Sequence, residues 1–479
     1  MLRIKVPYFL FLLCLLLIYS SSCNKDIHFN DDPNFKLAFS HDTVLFDTVF
    51  TTVGTITKVF KVFNKSNKDI NISRVELASQ TQSNYRVNVD GMSGTVFFDV
   101  LLRAKDSMWV FVEATIDPRN QNTPIVQDSI LFYTNNNEQK IQLVAFGQDA
   151  YFHYPTVPAS EDLPAHSTIS GVWSNDKPHV IYGFAFVPND STLIIPSGTK
   201  VYMHHNANLV VLKDASLKIY GSLGNEVVFQ SDRLDYYYKD LPGMWGRIWL
   251  SAGSKDNEIN YAVIKNGRVG VHVDTLGNSS NPTLTMTNTI IKNMSAAGLF
   301  AQGSWVVAHN CVIANCGEYA ILLNIGGKYD FRHCTIGNFW SYTTRQTPSV
   351  VLNNYYKDIY GNYQVRDLES VYFGNSIIYG NISNEIGLDK YPYSGIFNYH
   401  FDHTLIRTSL ETNSDFFTSC IINQNPTFED TDSLYLNLKN FSPAINKGNP
   451  SISSGINNDI EGNPRIQGIK PDLGAYEKM

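Results

Sequence analysis

The sequence has few charged residues for its length. Asp, Glu, Lys and Arg make up 17% of the 479 residues, whereas soluble domains usually carry about 25%. The 37 basic and 44 acidic residues leave a net charge of −7, which argues against a nucleic-acid binder, because such proteins carry a basic stripe. The 43% hydrophobic content can bury a core, so intrinsic disorder is excluded. We expect folded domains without nucleic-acid partners.

Several catalytic and metal-binding motifs are also missing. The sequence has no G-x-S-x-G, H-E-x-x-H or Walker motif. Its six cysteines never stand in a C-x-x-C spacing, so no structural zinc site is expected. We expect neither a metal nor a cofactor. A calcium-binding site formed by Glu429, Asp430 and Asp432 is the alternative, but a solvated turn is the favoured interpretation of these residues.

Residues that favour strands and turns are abundant instead. Aromatic residues reach 13%, and 31 Gly and 19 Pro punctuate the chain. Tyr and Phe favour strands, whereas Gly and Pro favour turns. At roughly 100–200 residues per domain the length allows about two to four domains. The composition predicts an all-β protein.

The N-terminus has the features of an export signal. Arg3 and Lys5 precede an apolar run over residues 8–19, which is shorter than the roughly 20 residues of a membrane span and fits a signal core. Three serines then precede Cys23, and this pattern resembles the lipobox of bacterial lipoproteins. The resemblance implies that residues 1–22 are a signal peptide and that Cys23 carries the acyl chains, palmitate among them. A free Cys in an ordinary signal peptide is the alternative.

The residues after Cys23 bear on localisation. The Asn-Lys-Asp run at 24–26 is similar to the export tag of surface lipoproteins of the Bacteroidota, although Ile27 stands where a second acidic residue is usual. The similarity favours an outer-membrane lipoprotein on the cell surface, with a periplasm-facing orientation as the alternative. Residues 23–34 are predicted to be a tether.

Residues 35–150 alternate in the manner of short strands separated by turns, which predicts a β-sandwich. The segment resembles the Ig-like domain of the ASPM/SPD-2/Hydin type, and such modules are mostly spacers or interaction platforms. The residues that carry the resemblance are Val62-Phe63-Asn64, Phe111-Val112-Glu113, Asp117-Pro118, Thr134-Asn135 and Gly147-Gln148.

Residues 151–192 are interpreted as a bridge, and residues 193–440 as a solenoid. Strands too short for an independent sheet must bury their faces on the next turn of the chain. A recurring five-residue pattern supports this, and its copies start at Ala262, Thr289, Cys311, Cys334, Ser376 and Thr404. Most steps match single coils. The longest step, from Cys334 to Ser376, indicates either an extra coil or a long insertion.

Period-two alternation assigns the inward positions of this pattern. The terminal amides are expected to stack as an interior ladder, because a buried Asn otherwise leaves unsatisfied groups. Cys311 and Cys334 stand in the small-residue column, where we favour small core residues over a disulfide. The ladder comprises Asn266, Asn293, Asn315 and Asn338.

Residues 441–479 look like the closing motif of secreted bacterial β-helix proteins, carried by the segments 442–448 and 471–477. Asn446 stands where that family has Asp. Residues 193–479 therefore resemble right-handed parallel β-helix proteins, and the whole layout resembles Bacteroidota β-helix lipoproteins with an Ig-like N-terminal domain. The implied fold class is all-β, a right-handed parallel β-helix (solenoid) preceded by an Ig-like β-sandwich.

The outward positions of the repeated strand hold no carboxylate. Many β-helix relatives cleave polysaccharides, and hydrolases need two carboxylates about 5–9.5 Å apart, so this face lacks the required groups. One outward column is apolar, which marks a contact surface. We expect the sandwich or a long loop to cover it, with an external partner as the alternative. The apolar column is Val263, Ile290, Val312, Thr335, Ile377 and Leu405.

The long step after Cys334 is rich in Tyr and Arg, which suit a sugar-binding platform. A base such as Arg345 or Tyr356 beside Asp358 would suit catalysis, and a loop folded on its own aromatics is the favoured alternative. The run at 235–240, followed by Trp245 and Trp249, allows both interpretations. Catalytic residues stay unassigned. The candidate glycan contacts are Tyr342, Tyr355, Tyr356, Tyr360 and Arg345.

Three functional hypotheses follow from these patterns. The first is a non-catalytic binding or structural lipoprotein of the cell envelope, with polysaccharide as partner and the membrane reached through Cys23. The second is a polysaccharide lyase or glycoside hydrolase of the β-helix type. The third is a surface adhesin for protein partners. A cluster of carboxylates and a base within one groove would favour the enzyme, and the oligomeric state stays open.

Overall fold

The computed structural model describes residues 28–50, 57–115, 125–275 and 280–479, with only the backbone described at 47–50. Cys23 and the predicted signal peptide lie outside the described residues. The chain divides into two compact units, Met1–Asp149 and Ala150–Met479. No helix among the described residues is long and apolar enough to cross a membrane.

The first unit is a sandwich of two five-stranded sheets, ordered β1-β3-β8-β5-β6 and β2-β10-β9-β4-β7. Its described residues also include a 3₁₀ turn at Gln80–Gln82. The strands are β1 Ala38–Phe39, β2 Thr43–Phe50, β3 Lys58–Phe63, β4 Ile70–Leu77, β5 Tyr85–Val89, β6 Met92–Gly94, β7 Val96–Leu102, β8 Ser107–Ala114, β9 Ile125–Thr134 and β10 Asn137–Gln148.

Alternating side chains build the core of this sandwich. In β3, Phe60 and Val62 are buried while the intervening Lys61 faces outwards. Val110 and Val112 alternate with exposed residues in β8 in the same manner. β10 pairs with β2 in parallel and with β9 antiparallel. The period-two pattern in the sequence thus becomes the two inner faces of an Ig-like sandwich.

Residues 28–34 are attached to the sandwich. Asn30 N donates to Asp69 O at 2.8 Å, and the side chain of Asn135 donates to Asn30 O at 2.7 Å. Asn137 likewise donates to Pro33 O at 2.7 Å. The predicted tether is therefore wrong for this part of 23–34, because two turn amides of the sandwich hold its backbone.

The second unit is a solenoid whose two large sheets contain only parallel pairings among the described residues. Together with the sandwich it confirms the all-β prediction of an Ig-like domain and a parallel β-helix. Its strands are β11 Tyr151–His153, β12 His166–Thr168, β13 Gly171–Val172, β14 His179–Ile181, β15 Phe184–Val187, β16 Thr192–Pro196, β17 Lys200–Met203, β18 Asn208–Val211, β19 Ser216–Tyr220, β20 Val227–Ser231, β21 Arg247–Leu250, β22 Asn257–Asn260, β23 Ala262–Lys265, β24 Val269–Val273, β25 Leu284–Thr287, β26 Ile290–Met294, β27 Ala297–His309, β28 Val312–Cys316, β29 Tyr319–Arg332, β30 Thr335–Asn338, β31 Val350–Asn353, β32 Tyr355–Lys357, β33 Tyr363–Val365, β34 Leu368–Gly374, β35 Ile377–Gly380, β36 Ile386–Asp389, β37 Phe397–Asp402, β38 Leu405–Ile406, β39 Phe417–Thr418, β40 Ile421–Ile422, β41 Phe428–Asp430 and β42 Tyr435–Leu438.

The smaller of the two large sheets has eleven strands in the order β11-β14-β17-β20-β23-β26-β28-β30-β35-β38-β40. The larger sheet has seventeen strands and runs from β12 to β39. Because β11 to β15 already belong to these sheets, the solenoid includes residues 151–192, and the predicted bridge is wrong. Aromatic residues of this segment pack between successive coils, as the stacking of Tyr154 on Tyr182 with ring centroids 4.6 Å apart shows.

The repeated pattern occupies neighbouring strands of the eleven-stranded sheet. β30 pairs directly with β35, so the long step from Cys334 to Ser376 adds no coil to this sheet. It contains an antiparallel hairpin, β32–β33, instead. The inward aliphatic column is buried at every position, namely Ile264, Ile291, Ile313, Ile336, Ile378 and Ile406.

The structure buries all four residues of the Asn ladder. Asn315 donates to the side-chain oxygen of Asn293 at 2.6 Å. Asn266 donates instead to Leu241 O at 3.0 Å, and Asn338 accepts from the backbone N of Cys316 at 3.0 Å. Coil-to-coil bonding between amides is thus present at 293–315. At the two ends the amides are only partly satisfied, because Asn266 Oδ1 and Asn338 Nδ2 are buried without a hydrogen-bond partner among the described residues.

The cysteines among the described residues are free. Cys311 and Cys334 are fully buried, and each thiol donates to backbone carbonyl oxygens of its own and the preceding coil. Burial raises the pKa of Cys316 to about 12. These thiols occupy core positions as small side chains.

The C-terminal segment covers the outward apolar column. Val312 and Ile377 pack with Leu436 and Leu473 in one buried cluster. The cover thus comes from this chain itself, as expected, and it is the long segment after β40 that returns along this face. His333, which precedes the repeat at Cys334, is covered by the same segment, since Ser453 hydrogen-bonds it at 2.8 Å.

Candidate functional site

A cavity of about 560 Å³ lies at one corner of the coils, between β27, β29 and the chain that enters β34. That volume is within the roughly 300–1,000 Å³ typical of ligand pockets. The lining residues are Thr275, Gly303, Ser304, Trp305, Ile325, Gly327, Lys328, Tyr356, Arg366, Asp367 and Glu369.

The floor of the cavity depends on close backbone approach between coils. β27 and β29 lose their regular register between Gln302 and Ser304. At Gly327, which has φ +113°, a Cβ would lie 2.5 Å from the backbone oxygen of Ser304. Only glycine fits there, because a larger residue would push the two coils apart. The irregular corner leaves the space that the cavity occupies.

The hairpin β32–β33 forms one wall and has two different faces. Side chains alternate along a strand, so Tyr356 and Arg366 lie on the face that lines the cavity. Tyr355 lies on the opposite face, where its ring is 5.8 Å from that of Tyr363 and its hydroxyl donates to Asp389 at 2.9 Å. The two neighbouring tyrosines therefore belong to different surfaces.

Glu369 reaches the cavity through a β-bulge. β34 pairs Leu368 with Gly327 and Ser370 with Lys328, which leaves Glu369 as the extra residue. Such bulges re-aim side chains and are common next to binding sites. The Glu369 side chain is exposed and makes no hydrogen bond or ion pair with any described residue.

Four charged side chains line the cavity without pairing to one another. The Lys328 ammonium stands 4.3 Å from the centroid of the Trp305 ring. Arg366 donates to Val365 O at 3.0 Å, and Asp367 accepts from the backbone N of Ile396 at 2.8 Å. Within the described part of the chain, neither cation forms a salt bridge. The cavity thus offers donors and acceptors to a polar ligand.

Arg345 has to be removed from the candidate glycan contacts. It is 5% exposed, and its guanidinium bonds the Glu385 carboxylate at 2.6 and 2.8 Å. A side chain held inside the solenoid in this way cannot reach a sugar. Arg345 therefore stabilises the fold of the insertion and does not bind a ligand.

Asp358 is also unsuited to proton transfer. Its carboxylate accepts from Tyr360 N at 3.0 Å, from Asn362 N at 2.9 Å and from Gln364 Nε2 at 3.0 Å. These hydrogen bonds, with that to Asn362 the largest, lower the pKa of the carboxyl group. Asp358 is thus engaged by the hairpin turn and Arg345 by Glu385, so the two do not form the predicted catalytic pair.

The remaining candidates divide between surfaces. Tyr356 lines the cavity and is 37% exposed. Tyr360 is exposed at the hairpin turn, and Tyr342 donates to Asp240 O at 3.1 Å. Trp245, which follows the 235–240 run, is buried in the core instead of facing a ligand.

Asp430, in the acidic cluster at 429–432, accepts hydrogen bonds from residues of its own turn. It accepts hydrogen bonds from Asp432 N at 2.9 Å and from Ser433 Oγ at 2.7 Å. Glu429 pairs with Lys478 at 3.2 Å. No group of three or more potential metal ligands occurs in residues 28–275 and 280–479 as far as they are described.

Sequence reasoning missed Trp305, Lys328 and Glu369. Trp305 and Lys328 precede Cys311 and Cys334 by the same spacing, so extending the repeat towards the N-terminus would have placed them side by side. Glu369 carries no comparable signal, because its orientation depends on a bulge.

No family model and no curated protein matches the chain. Solved structures give weak similarities. A PapD-like domain of human CEP192 is 14% identical, covering 27% of this chain and 94% of its own, with a TM-score of 0.17. The catalytic unit of a GH87 α-1,3-glucanase from Streptomyces thermodiastaticus is 12% identical, covering 76% of this chain and 89% of its own, with a TM-score of 0.24. A family 123 glycoside hydrolase from Clostridium perfringens is 9% identical over 23% of this chain and 25% of its own, with a TM-score of 0.17. The fold assignment rests on the strand pairings.

Proposed function

We propose that this protein is a glycan-binding lipoprotein of the bacterial cell envelope and that the corner cavity holds the saccharide. The observation that carries the proposal is the lining itself, in which Tyr356 occurs together with two cations and two carboxylates that form no salt bridge with any described residue. Carboxylates and amines bond sugar hydroxyls, and an aromatic ring packs on the apolar face of a sugar. A cavity of this kind is a default binding-site hypothesis.

Glycan cleavage is the second candidate. Asp367 and Glu369 line one cavity together with Lys328 and Arg366, which supplies two carboxylates and two bases in one groove. Glycoside hydrolases use two carboxylates, and lyases need a base beside the sugar. We favour binding because Asp367 and Glu369 are both exposed to water, whereas the general acid of a glycosidase is typically a sheltered carboxyl group.

The two faces of the hairpin provide the test. Tyr356→Ala removes an aromatic ring from the cavity, and Tyr355→Phe changes a neighbouring residue on the opposite face. Binding of purified full-length protein to a panel of immobilised polysaccharides should weaken about tenfold in Tyr356→Ala and stay unchanged in Tyr355→Phe. Equal retention by both variants would show that the cavity is not the site.

Catalysis is tested on the same panel. Products that appear with the wild type and disappear in Glu369→Gln would make the protein an enzyme, and unsaturated products would identify a lyase. Asp358→Asn is the matched control, because this carboxylate serves the hairpin turn.

The anchor is proposed on sequence grounds. The signal core and the serines before Cys23 support lipid attachment there, and two or more acyl chains give stable membrane binding. Cys23→Ala should lose palmitate label and leave the membrane fraction. Surface exposure, which the 24–26 run supports, predicts that intact cells are labelled by an antibody against the sandwich.

A further inference from the structure

Two lysines lie side by side on the outer face of the eleven-stranded sheet. β23 pairs with β26 in parallel, with Lys265 opposite Lys292. Neighbouring strands are about 4.8 Å apart, so the two ammonium-bearing side chains start from adjacent positions. Like charges directly opposite each other destabilise a sheet. The repulsion between the two positive charges therefore has to be offset by a nearby negative charge.

The described residues compensate only one of the two charges. Lys265 is 3.4 Å from the Asp240 carboxylate, and its side chain is 19% exposed. The Lys292 side chain is half-buried and makes no hydrogen bond or salt bridge with any described residue. Burial, followed by the charge of Lys265, lowers the pKa of Lys292. The Asp240 carboxylate acts on both ammonium groups but can neutralise only one charge. The pair thus keeps a net positive charge in a partly dehydrated place, which costs free energy.

Two aromatic segments flank this pair. The loop that carries Asp240 also carries Tyr237, which is 71% exposed. Tyr342 donates to the backbone oxygen of Asp240 at 3.1 Å and packs on Trp340 with ring centroids 5.0 Å apart. The segment after β30 therefore meets the loop before β21 beside the lysines. The lysine pair therefore lies beside two loops that contact each other.

We propose that Lys265 and Lys292 form a binding site for an oxyanion, namely a carboxylate, sulfate or phosphate group. The oxygens of such a group accept from ammonium donors and neutralise the second charge, which Asp240 leaves unpaired. Lysines bind such groups as point charges. The residues differ from those of the corner cavity, so the proposal stands whether or not the cavity binds glycan.

The test measures binding of sulfate to the full-length protein by calorimetry, with sodium chloride at equal ionic strength as the reference. Lys292→Met keeps the alkyl chain, removes the charge and should weaken sulfate binding about tenfold. Asp240→Asn removes the competing carboxylate and should tighten it. Lys218→Met is the matched control and should bind sulfate like the wild type, because Lys218 lies on β19 of the seventeen-stranded sheet and pairs with Glu258 at 2.6 Å.

Two results would overturn the proposal. One is the absence of any heat beyond that of chloride, and the other is equal sulfate affinity in the wild type and Lys292→Met. If Lys292→Met does not fold, Lys265→Met and Asp240→Asn must still change affinity in opposite directions. Parallel titrations with glucuronate and with a sulfated oligosaccharide show which source of the anion the site prefers. An acidic saccharide should bind more tightly than sulfate, because Tyr237 and Tyr342 can contact its sugar rings. A site for free anions should bind all three with similar affinity.

Discussion

Arg345 and Glu385 form an ion pair whose two side chains are fully removed from water. The guanidinium meets both carboxylate oxygens, at 2.6 and 2.8 Å. Ser349 adds two bonds to the same carboxylate, from its N at 3.1 Å and its hydroxyl at 2.5 Å. Because Arg345 follows β30 and Glu385 precedes β36, the pair fastens the chain after β30 to the next coil.

Breaking this pair should be strongly destabilising. Glu385→Gln leaves the Arg345 charge buried without its counter-ion, and loss of one partner of a buried pair costs about 3–5 kcal/mol. Urea denaturation of the full-length protein should show this loss in the transition of the solenoid. The double variant Arg345→Met with Glu385→Leu should lose less than Glu385→Gln. A single variant within about 1 kcal/mol of the wild type would contradict the assignment.

The same pair shows where sequence reasoning reached its limit. Arg345 stands in a Tyr- and Arg-rich segment, where exposure is a reasonable expectation. Its partner is 40 positions away and becomes a neighbour only through the stacking of coils. Local sequence patterns do not show that these two residues meet, so the sequence alone predicts a ligand contact at a residue that stabilises the fold.

Regular periodicity, in contrast, could be predicted well. The aliphatic column from Ile264 to Ile406 follows from alternation and repeat spacing, and every member is buried. The bridge at 151–192 was misassigned because its strands are short and carry aromatic residues in place of the Ile column. Tyr355 and Tyr356 show the same limit, since their separation onto two faces requires knowing that a strand passes through them.

The Asn ladder can be tested at Asn315. Asn315→Leu removes the 2.6 Å bond to Asn293, and an unsatisfied buried group costs about 1–3 kcal/mol. The residue also has φ +53°, which adds about 1–2 kcal/mol of strain for an ordinary side chain. Thermal melts should rank the wild type above Asn315→Gly, and the Gly variant above the Leu variant. Equal melting of wild type and Leu variant would remove the ladder from the stabilising contacts.

The stability of the solenoid should depend on pH through Glu477. Burial, opposed by the nearby Arg465 charge, raises the pKa of Glu477 from 4.5 to about 7. Between these two values the folded state keeps a proton that the unfolded state releases, so the free energy of unfolding falls as pH rises from about 4.5 to about 7. The slope contributed by one such group is at most about 1.4 kcal/mol per pH unit.

Denaturation at a series of pH values checks this contribution. Glu477→Gln cannot titrate, so its free energy of unfolding should vary less between pH 4.5 and 7 than that of the wild type. Glu429→Gln, which alters a more exposed carboxylate paired to Lys478 at 3.2 Å, is the matched control. Parallel pH curves for the wild type and Glu477→Gln would show that this group keeps its unfolded-state pKa.

The cavity floor gives the last prediction, which separates a steric role from a conformational one. Gly327→Ala places a Cβ 2.5 Å from Ser304 O and 2.6 Å from the Tyr329 hydroxyl. Gly361→Ala also sits at positive φ, +84°, but meets nothing within 4 Å. The control should lose about 1 kcal/mol through backbone strain, whereas Gly327→Ala should lose about 1–3 kcal/mol more through overpacking. Because the clash displaces the wall that carries Ser304, glycan retention should fall in Gly327→Ala and persist in Gly361→Ala. Equal stability of the two variants would show that the coils separate freely at this corner, and the close approach would then not shape the cavity.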